Sequence, residues 1–246
     1  MIHYPLRYVS FAEDPPPSEA SKRVPEYVFI DPDDDCDKVV DALLKTDYCE
    51  EFCLATDFSE DFLGQLMESG FLVMSAALSS LPVYIVLPKL HLVRSALFFP
   101  NLHIKKSIRP FLSRYELRVD TDFDLILDKC LQTHGEDWLT PPLAQTLRQL
   151  RHCNKRVKPI SFAVYRDGEL KAGEIGVAIG RVYTSYSGYH DETNSGTVQL
   201  ILMTKWLENA GFDFLDLGMP LDYKTALGAQ DIDPRRFVEL FRAARY

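Results

Sequence analysis

Ile160-Ser-Phe-Ala-Val-Tyr-Arg166, Asp167-Gly168, Glu169-Leu-Lys-Ala-Gly-Glu-Ile-Gly-Val-Ala-Ile179 is the stretch whose reading decides the fold. Two runs rich in β-branched and aromatic residues flank an Asp-Gly pair, which supplies the left-handed backbone of a tight turn and so marks a β-hairpin. Val182 to Ser187 reads as a third strand. Thr197 to Ala210 then reads as a helix closed by Gly211, and Phe214 to Leu217 as a fourth strand.

The residues upstream support the same layout. Phe123, Ile126, Leu127, Cys130 and Leu131 fall on one face of a helix. Thr140 before Pro141 starts another, with Leu143, Leu147 and Leu150 as its buried stripe. Asp233 before Pro234 caps a last helix. Hairpins, a helix and a returning strand describe an α+β protein with a mixed sheet, an order that fits a GNAT acyltransferase-like domain. Nearer the start, Tyr27 to Ile30, Val83 to Leu87 and Leu90 to Phe99 read as strands. A helix opens at about Asp37, and another lies between Ser59 and Gly70. Asp14 to Pro17 cannot continue a helix.

The 246 residues carry a net charge of −9, unevenly spread. Residues 1–100 hold 7 basic and 17 acidic side chains, and residues 101–246 hold 20 and 19. The shift places a boundary near residue 100, between an acidic N-terminal domain (1–100) of α/β type and a larger C-terminal domain (101–246). Within the latter, Lys105, Lys106, Arg109 and Arg114 form one basic cluster. Arg148, Arg151, Lys155 and Arg156 form a second with no acid between them. Such clusters hold phosphate even on an acidic protein, although solvated faces look the same on charge alone.

Several classes are disfavoured. The apolar run from Leu81 to Leu92 is broken by Pro82, Pro88 and Lys89, so no membrane span is expected. No signal-peptide pattern opens the chain. Five irregularly spaced cysteines point to reduced thiols and a cytoplasmic protein. The acidic run Asp31 to Asp37 lacks the glycine and glutamate of a calcium loop, so no metal is expected.

Asp137-Trp-Leu-Thr140, Ser185-Tyr-Ser-Gly-Tyr189, Leu215-Asp-Leu-Gly218 and Thr225-Ala-Leu-Gly-Ala229, in that order and spacing, resemble the leucyl/phenylalanyl-tRNA–protein transferases. Their motifs there read Thr-Trp-Ile-Thr, Gly-Glu-Ser-Met-Phe and Ile-Asp-Cys-Gln. Trp138, Thr140, Ser187 and Asp216 are retained; Tyr186 replaces the glutamate, Gly218 the glutamine, and Leu147 a tyrosine. The front half matches more loosely. His91 to Arg94 or His103 to Ser107 corresponds to a family Leu-His-Leu-Ser-Arg-Ser, the second placement fitting better.

The resemblance implies transfer of an apolar, Leu- or Phe-like residue from the 3′ end of a charged tRNA to a protein N-terminal amine, an N-end rule modification needing no cofactor. It implies that Asp216 positions the amine and that Trp138 and Thr140 line the donor slot. Tyr186, Ser187, Tyr189 and Gly218 complete the substrate site, and both basic clusters lie on one side of it, against the tRNA. A monomer is the expected form. Two alternatives stand beside this. One is an acyl-CoA enzyme, disfavoured because Asp191 and Glu192 occupy the loop where phosphate would sit. The other is a catalytically silent relative that binds tRNA or a protein terminus.

Overall fold

The computed structural model describes residues 4–10, 26–46, 48–78, 83–153 and 155–246. The Asp14 to Pro17 run and the start of the apolar run at Leu81 lie outside them. In chain order the elements are β1 (Arg7–Ser10), β2 (Glu26–Phe29), α1 (Cys36–Leu43), α2 (Glu60–Glu68), β3 (Leu72–Ala77), β4 (Tyr84–Lys89) and β5 (Arg94–Leu97). There follow α3 (Arg109–Leu112), β6 (Glu116–Val119), α4 (Phe123–His134), α5 (Pro141–Cys153), β7 (Val157–Arg166), β8 (Glu169–Ile179) and β9 (Val182–His190). The chain closes with α6 (Ser195–Asn209), β10 (Phe214–Asp216), α7 (Asp222–Ala226), β11 (Gln230–Ile232) and α8 (Pro234–Ala244).

A seven-stranded mixed sheet, ordered β11-β5-β10-β9-β8-β7-β6, forms the centre. Only β9 and β10 run parallel; every other neighbouring pair is antiparallel. The β7–β8 hairpin turns on Asp167 (φ 55°) and Gly168 (φ 80°), the two left-handed residues that the Asp-Gly pair was expected to supply. One face of the sheet packs on α2, α4, α5 and α8 through Leu66, Ile126, Leu147, Leu150, Ile175, Val177 and Phe241. The other packs on α3 and α6 through Ile108, Phe162, Val164, Val198 and Met203. Burying both faces explains why β7 and β8 read as nearly continuous apolar runs rather than alternating ones.

The N-terminal part pairs β1 with β2 and β3 with β4 in two small antiparallel sheets. The single strand expected over Leu90 to Phe99 is shorter: only Arg94–Leu97 pairs, because Pro100 lacks an amide donor and the chain turns into a short 3-10 segment at Phe99–Asn101. β5, which precedes residue 100, lies inside the main sheet between β10 and β11. The helix starts at Thr140 and Asp233 are as read from sequence, and the Asp233 carboxylate accepts from the Arg236 amide at 3.1 Å. Cys36, Cys53 and Cys130 are buried free thiols, while Cys49 and Cys153 are exposed. Among the described residues no helix is long and apolar enough to cross a membrane, and no cluster of three His, Cys, Asp or Glu is placed to hold a metal.

Candidate functional site

β9 and β10 stay paired for only three residues, ending at Thr184 opposite Asp216. Beyond that rung β9 runs on to His190 beside β8 alone, and β10 stays with the β5 side: the Leu217 amide donates to Ser95 O and the Ser95 amide to Gly218 O. A parallel pair that separates in this way frees the strands' C-terminal ends, the place where ligands of open α/β sheets are held.

Asp216 stands at the point of parting, fully buried. Its Oδ1 accepts from Arg94 Nε at 2.8 Å and from the Gly218 amide at 3.0 Å. Its Oδ2 accepts from an Arg94 terminal nitrogen at 2.6 Å and from Thr184 Oγ1 at 2.9 Å. A carboxylate has about four lone-pair sites; all are engaged here. The side chain therefore has no acceptor site left for an amine proton. Its contacts instead fix Arg94 and the Gly218 turn, whose φ is 69°. Arg94, 2 % exposed, also stacks over the Phe237 ring at 4.2 Å, so one guanidinium ties β5, β10 and α8 together.

Tyr186 is the extra residue of a β-bulge: Ile175 pairs with Ser187 and Gly176 with Ser185, leaving Tyr186 unmatched. The bulge aims its ring toward β3, where the hydroxyl accepts from the Val73 amide at 3.1 Å. Tyr186, Arg94, Thr184, Met67, Phe71 and Val177 close around one another and leave no room for a water molecule. Two residues along β3, the Ser75 amide donates to Trp138 O at 2.9 Å, and Ser75 Oγ lies 2.8 Å from Thr140 Oγ1. Trp138 is partly buried against the core and Thr140 fully buried. Ser187 and Tyr189 are buried with their hydroxyls unpaired, and the Gly188 carbonyl lies 2.8 Å from His134 Nε2. The structure thus gathers Trp138, Thr140 and Tyr186 along β3 and places Gly218 beside Asp216.

A Cβ on Gly218 would lie 3.6 Å from His91 Nε2 and 3.8 Å from Leu72. His91 is 3 % exposed and neither ring nitrogen has a hydrogen-bond partner. Burial, and secondarily the charges of Arg94, Lys89 and Lys224, push its pKa down to about 2, so the ring is neutral. It also helps line a separate cavity of about 130 Å³ with Leu43, Tyr48, Leu90 and Pro234. Lys224 is buried too; its ammonium donates to Leu217 O (2.5 Å) and Met219 O (2.8 Å), and burial lowers its pKa.

The two basic clusters do not share a side. Ile108 and Phe111, which flank Lys105, Lys106, Arg109 and Arg114, pack with α6 on one face of the sheet; α5, which carries Arg148 and Arg151, packs on the other. The expectation of a single tRNA-facing side is corrected accordingly. The second cluster is also largely neutralised. Arg148 bridges Asp124 and Asp128, Arg151 pairs with Asp120 and bonds Pro159 O, and Arg156 faces Glu68 at 3.6 Å. Lys155 is exposed, as are Lys105, Lys106, Arg109 and Arg114.

Glu174 and Lys224 were not singled out from sequence, and His91 and Arg94 entered only as the ends of the less favoured placement of a family motif. For His91, Arg94 and Glu174 the signal is a charged or polar residue inside an apolar run, as Glu174 is in Ala172 to Ile179; Lys224, between Tyr223 and Thr225, carries no such mark. That signal becomes informative only once both faces of the sheet are known to be covered.

The family model for leucyl/phenylalanyl-tRNA protein transferase matches residues 96–242. A leucyl/phenylalanyl-tRNA–protein transferase of Pseudomonas putida (strain W619) is 30% identical over 151 residues, 59% of this chain and 66% of the relative. That of Azotobacter vinelandii is 29% identical over 149 residues, 58% of this chain and 65% of the relative. The matched part thus spans just under two thirds of these relatives' length. Among solved structures, FemX has a TM-score of 0.44 at 10% identity, covering 93% of this chain and 86% of that one, a likeness too low to carry an argument.

Proposed function

With the chain's membership of the leucyl/phenylalanyl-tRNA–protein transferase family as premise, we propose that it moves an apolar, Leu- or Phe-like amino acid from charged tRNA to a protein N-terminal amine. The observation that carries this is the coincidence of the family match, residues 96–242, with the main sheet and the point where β9 and β10 part. Ester aminolysis runs downhill, so the protein's task is to align ester and amine, and alignment alone supplies about 7–11 kcal/mol of barrier reduction. Trp138 and Thr140, fixed to β3 through Ser75, flank the donor side. Tyr186, Ser187, Tyr189 and the Gly218 turn form the substrate wall. Asp216 organises Arg94 and Gly218 rather than touching the amine. We place the tRNA on Lys105, Lys106, Arg109 and Arg114, supported by their exposure. Arg148, Arg151 and Arg156 are engaged with acids, and Lys155 is peripheral.

The same reading treats the C-terminal part as a GNAT-like unit, supported by the order of its strands and α6, with the residues ahead of β5 as a smaller acidic domain, since Arg94–Leu97 belongs to the main sheet rather than to a domain ending at residue 100, and the protein a cytoplasmic monomer. Acyl-CoA use fits less well. Glu192, held by Tyr115 and Arg166, occupies the loop before α6 where a pyrophosphate would need positive charge. One finding favours a silent relative: the space at Tyr186 is filled, whereas a donor side chain needs an open slot. Leu-, Phe- and other charged tRNAs offered to the purified protein with a panel of peptide N termini decide the matter. Transfer from Leu- or Phe-tRNA supports the enzyme, and tRNA binding without transfer in any pairing defeats it.

A further inference from the structure

On the α6 side of the same parting lies a second carboxyl, and it is not saturated. Glu174 of β8 is 3 % exposed. Its Oε2 receives a long contact from Gln199 Nε2 at 3.4 Å, and no donor meets Oε1 in full hydrogen-bond geometry. The hydroxyls of Ser185 and Tyr183 face it from β9. Gly176 makes room for the latter, since a Cβ there would sit 2.5 Å from the Tyr183 hydroxyl. Ser185 is the first β9 residue beyond the last rung shared with β10 and is partly exposed. A buried carboxyl met only by weak, neutral donors, behind a hydroxyl on a freed strand edge, is the arrangement of a proton store rather than of a structural ion pair.

We propose that Ser185 contacts the acceptor amine and that Glu174 behind it, as a positioning residue, holds the proton the amine gives up; this rests on the transferase reading above. In the step, the amine nitrogen bonds to the ester carbonyl carbon and its proton passes to Ser185 Oγ, whose own proton moves to Glu174. The bond from carbonyl carbon to the tRNA ribose oxygen breaks, and the stored proton returns through Ser185 to that oxygen. No proton is gained or lost overall. Burial, the dominant influence, raises the Glu174 pKa to about 7, while Ser185, Gln199, Lys224 and Tyr183 offset part of the effect. The titratable groups around it are Tyr183 on β9, Tyr223 and Lys224 on α7 and Cys130 on α4. A group titrating near neutrality is matched to moving a proton at physiological pH.

The test uses the full chain, phenylalanyl-tRNA and a synthetic peptide with a free N terminus. Glu174→Gln is expected to lower kcat about a hundredfold with little change in the peptide KM. It should also erase the rise of kcat through neutral pH, leaving only the limb of the peptide's own amine near about 8. Glu174→Asp should restore part of the rate. Ser185→Ala, at a partly exposed position that tolerates change, should lower kcat similarly and carries the test if Glu174→Gln misfolds. A Glu174→Gln protein that folds and keeps the wild-type rate and pH profile overturns the inference alone. A wild-type chain that transfers nothing from any charged tRNA overturns the transferase reading and the inference with it.

Discussion

Arg94 and Asp216 meet as a two-bond ion pair (2.8 and 2.6 Å) with neither side chain in contact with water. Desolvating both charges is costly, and their attraction together with the Thr184 and Gly218 bonds offsets that cost only while both partners remain. Asp216→Ala is therefore expected to lose about 3–5 kcal/mol of stability, and replacing both residues by apolar ones of similar volume should cost less than either single change. Denaturant unfolding of the two single variants and the double variant measures this. Near-additive losses would show that the pair is not coupled.

His91 and Glu174 should give opposite pH slopes. The His91 pKa falls from 6.5 to about 2 on folding, so between those values the unfolded chain holds the extra proton and stability rises with pH. The Glu174 pKa rises from 4.5 to about 7, so in that window the folded chain holds the extra proton and stability falls with pH. From pH 4.5 to 6.5 the two contributions, each about 1.4 kcal/mol per pH unit at most, oppose each other. Replacing His91 by Leu should tilt the stability profile downward with rising pH, and Glu174→Gln should tilt it upward. Unfolding titrations across the window read the slopes directly; parallel profiles in the two variants would contradict both assignments.

Tyr186→Phe keeps the ring but removes the acceptor of the Val73 amide. An unsatisfied backbone donor costs about 1–3 kcal/mol, so a loss of that size is expected, with faster exchange of the Val73 amide proton. Native-state hydrogen exchange and melting measure both, and unchanged protection at Val73 would count against the bond.

Charge reversal at Lys105, Lys106 and Arg109 should weaken tRNA binding and flatten its salt dependence, each lost phosphate contact lowering the log–log slope by roughly 0.7–0.9. Reversal at Arg148 should chiefly disturb its bridges to Asp124 and Asp128. Binding measured over a salt series separates the clusters, and equal losses from both would restore a two-sided footprint.

The large sheet was legible in the sequence because its signals are local. The Asp167-Gly168 turn, the stripe from Phe123 to Leu131 and the caps at Thr140 and Asp233 each act within a few residues. Less was legible where long-range pairing decides. β6 and β11 are short segments that become strands only by pairing with β7 and β5, and Arg94 lies 122 residues from the aspartate that explains it. Asp216 could be placed at a strand end by motif, but its state depends on Arg94 and Thr184, which no local pattern connects to it. Tyr186 was visible as a substitution, whereas its bond to Val73 follows from a bulge that sequence does not mark.

The Tyr186 hydroxyl is the feature with the widest reach. One phenol both fills the recess beside Arg94 and fastens the edge of β3, so clearing the recess and releasing that edge are a single event. A smaller residue at this position would widen the hollow and at the same time unhook Leu72 and Val73. Any change in which side chain the recess admits is therefore felt 113 residues away as a change in how firmly the front of the molecule grips the back.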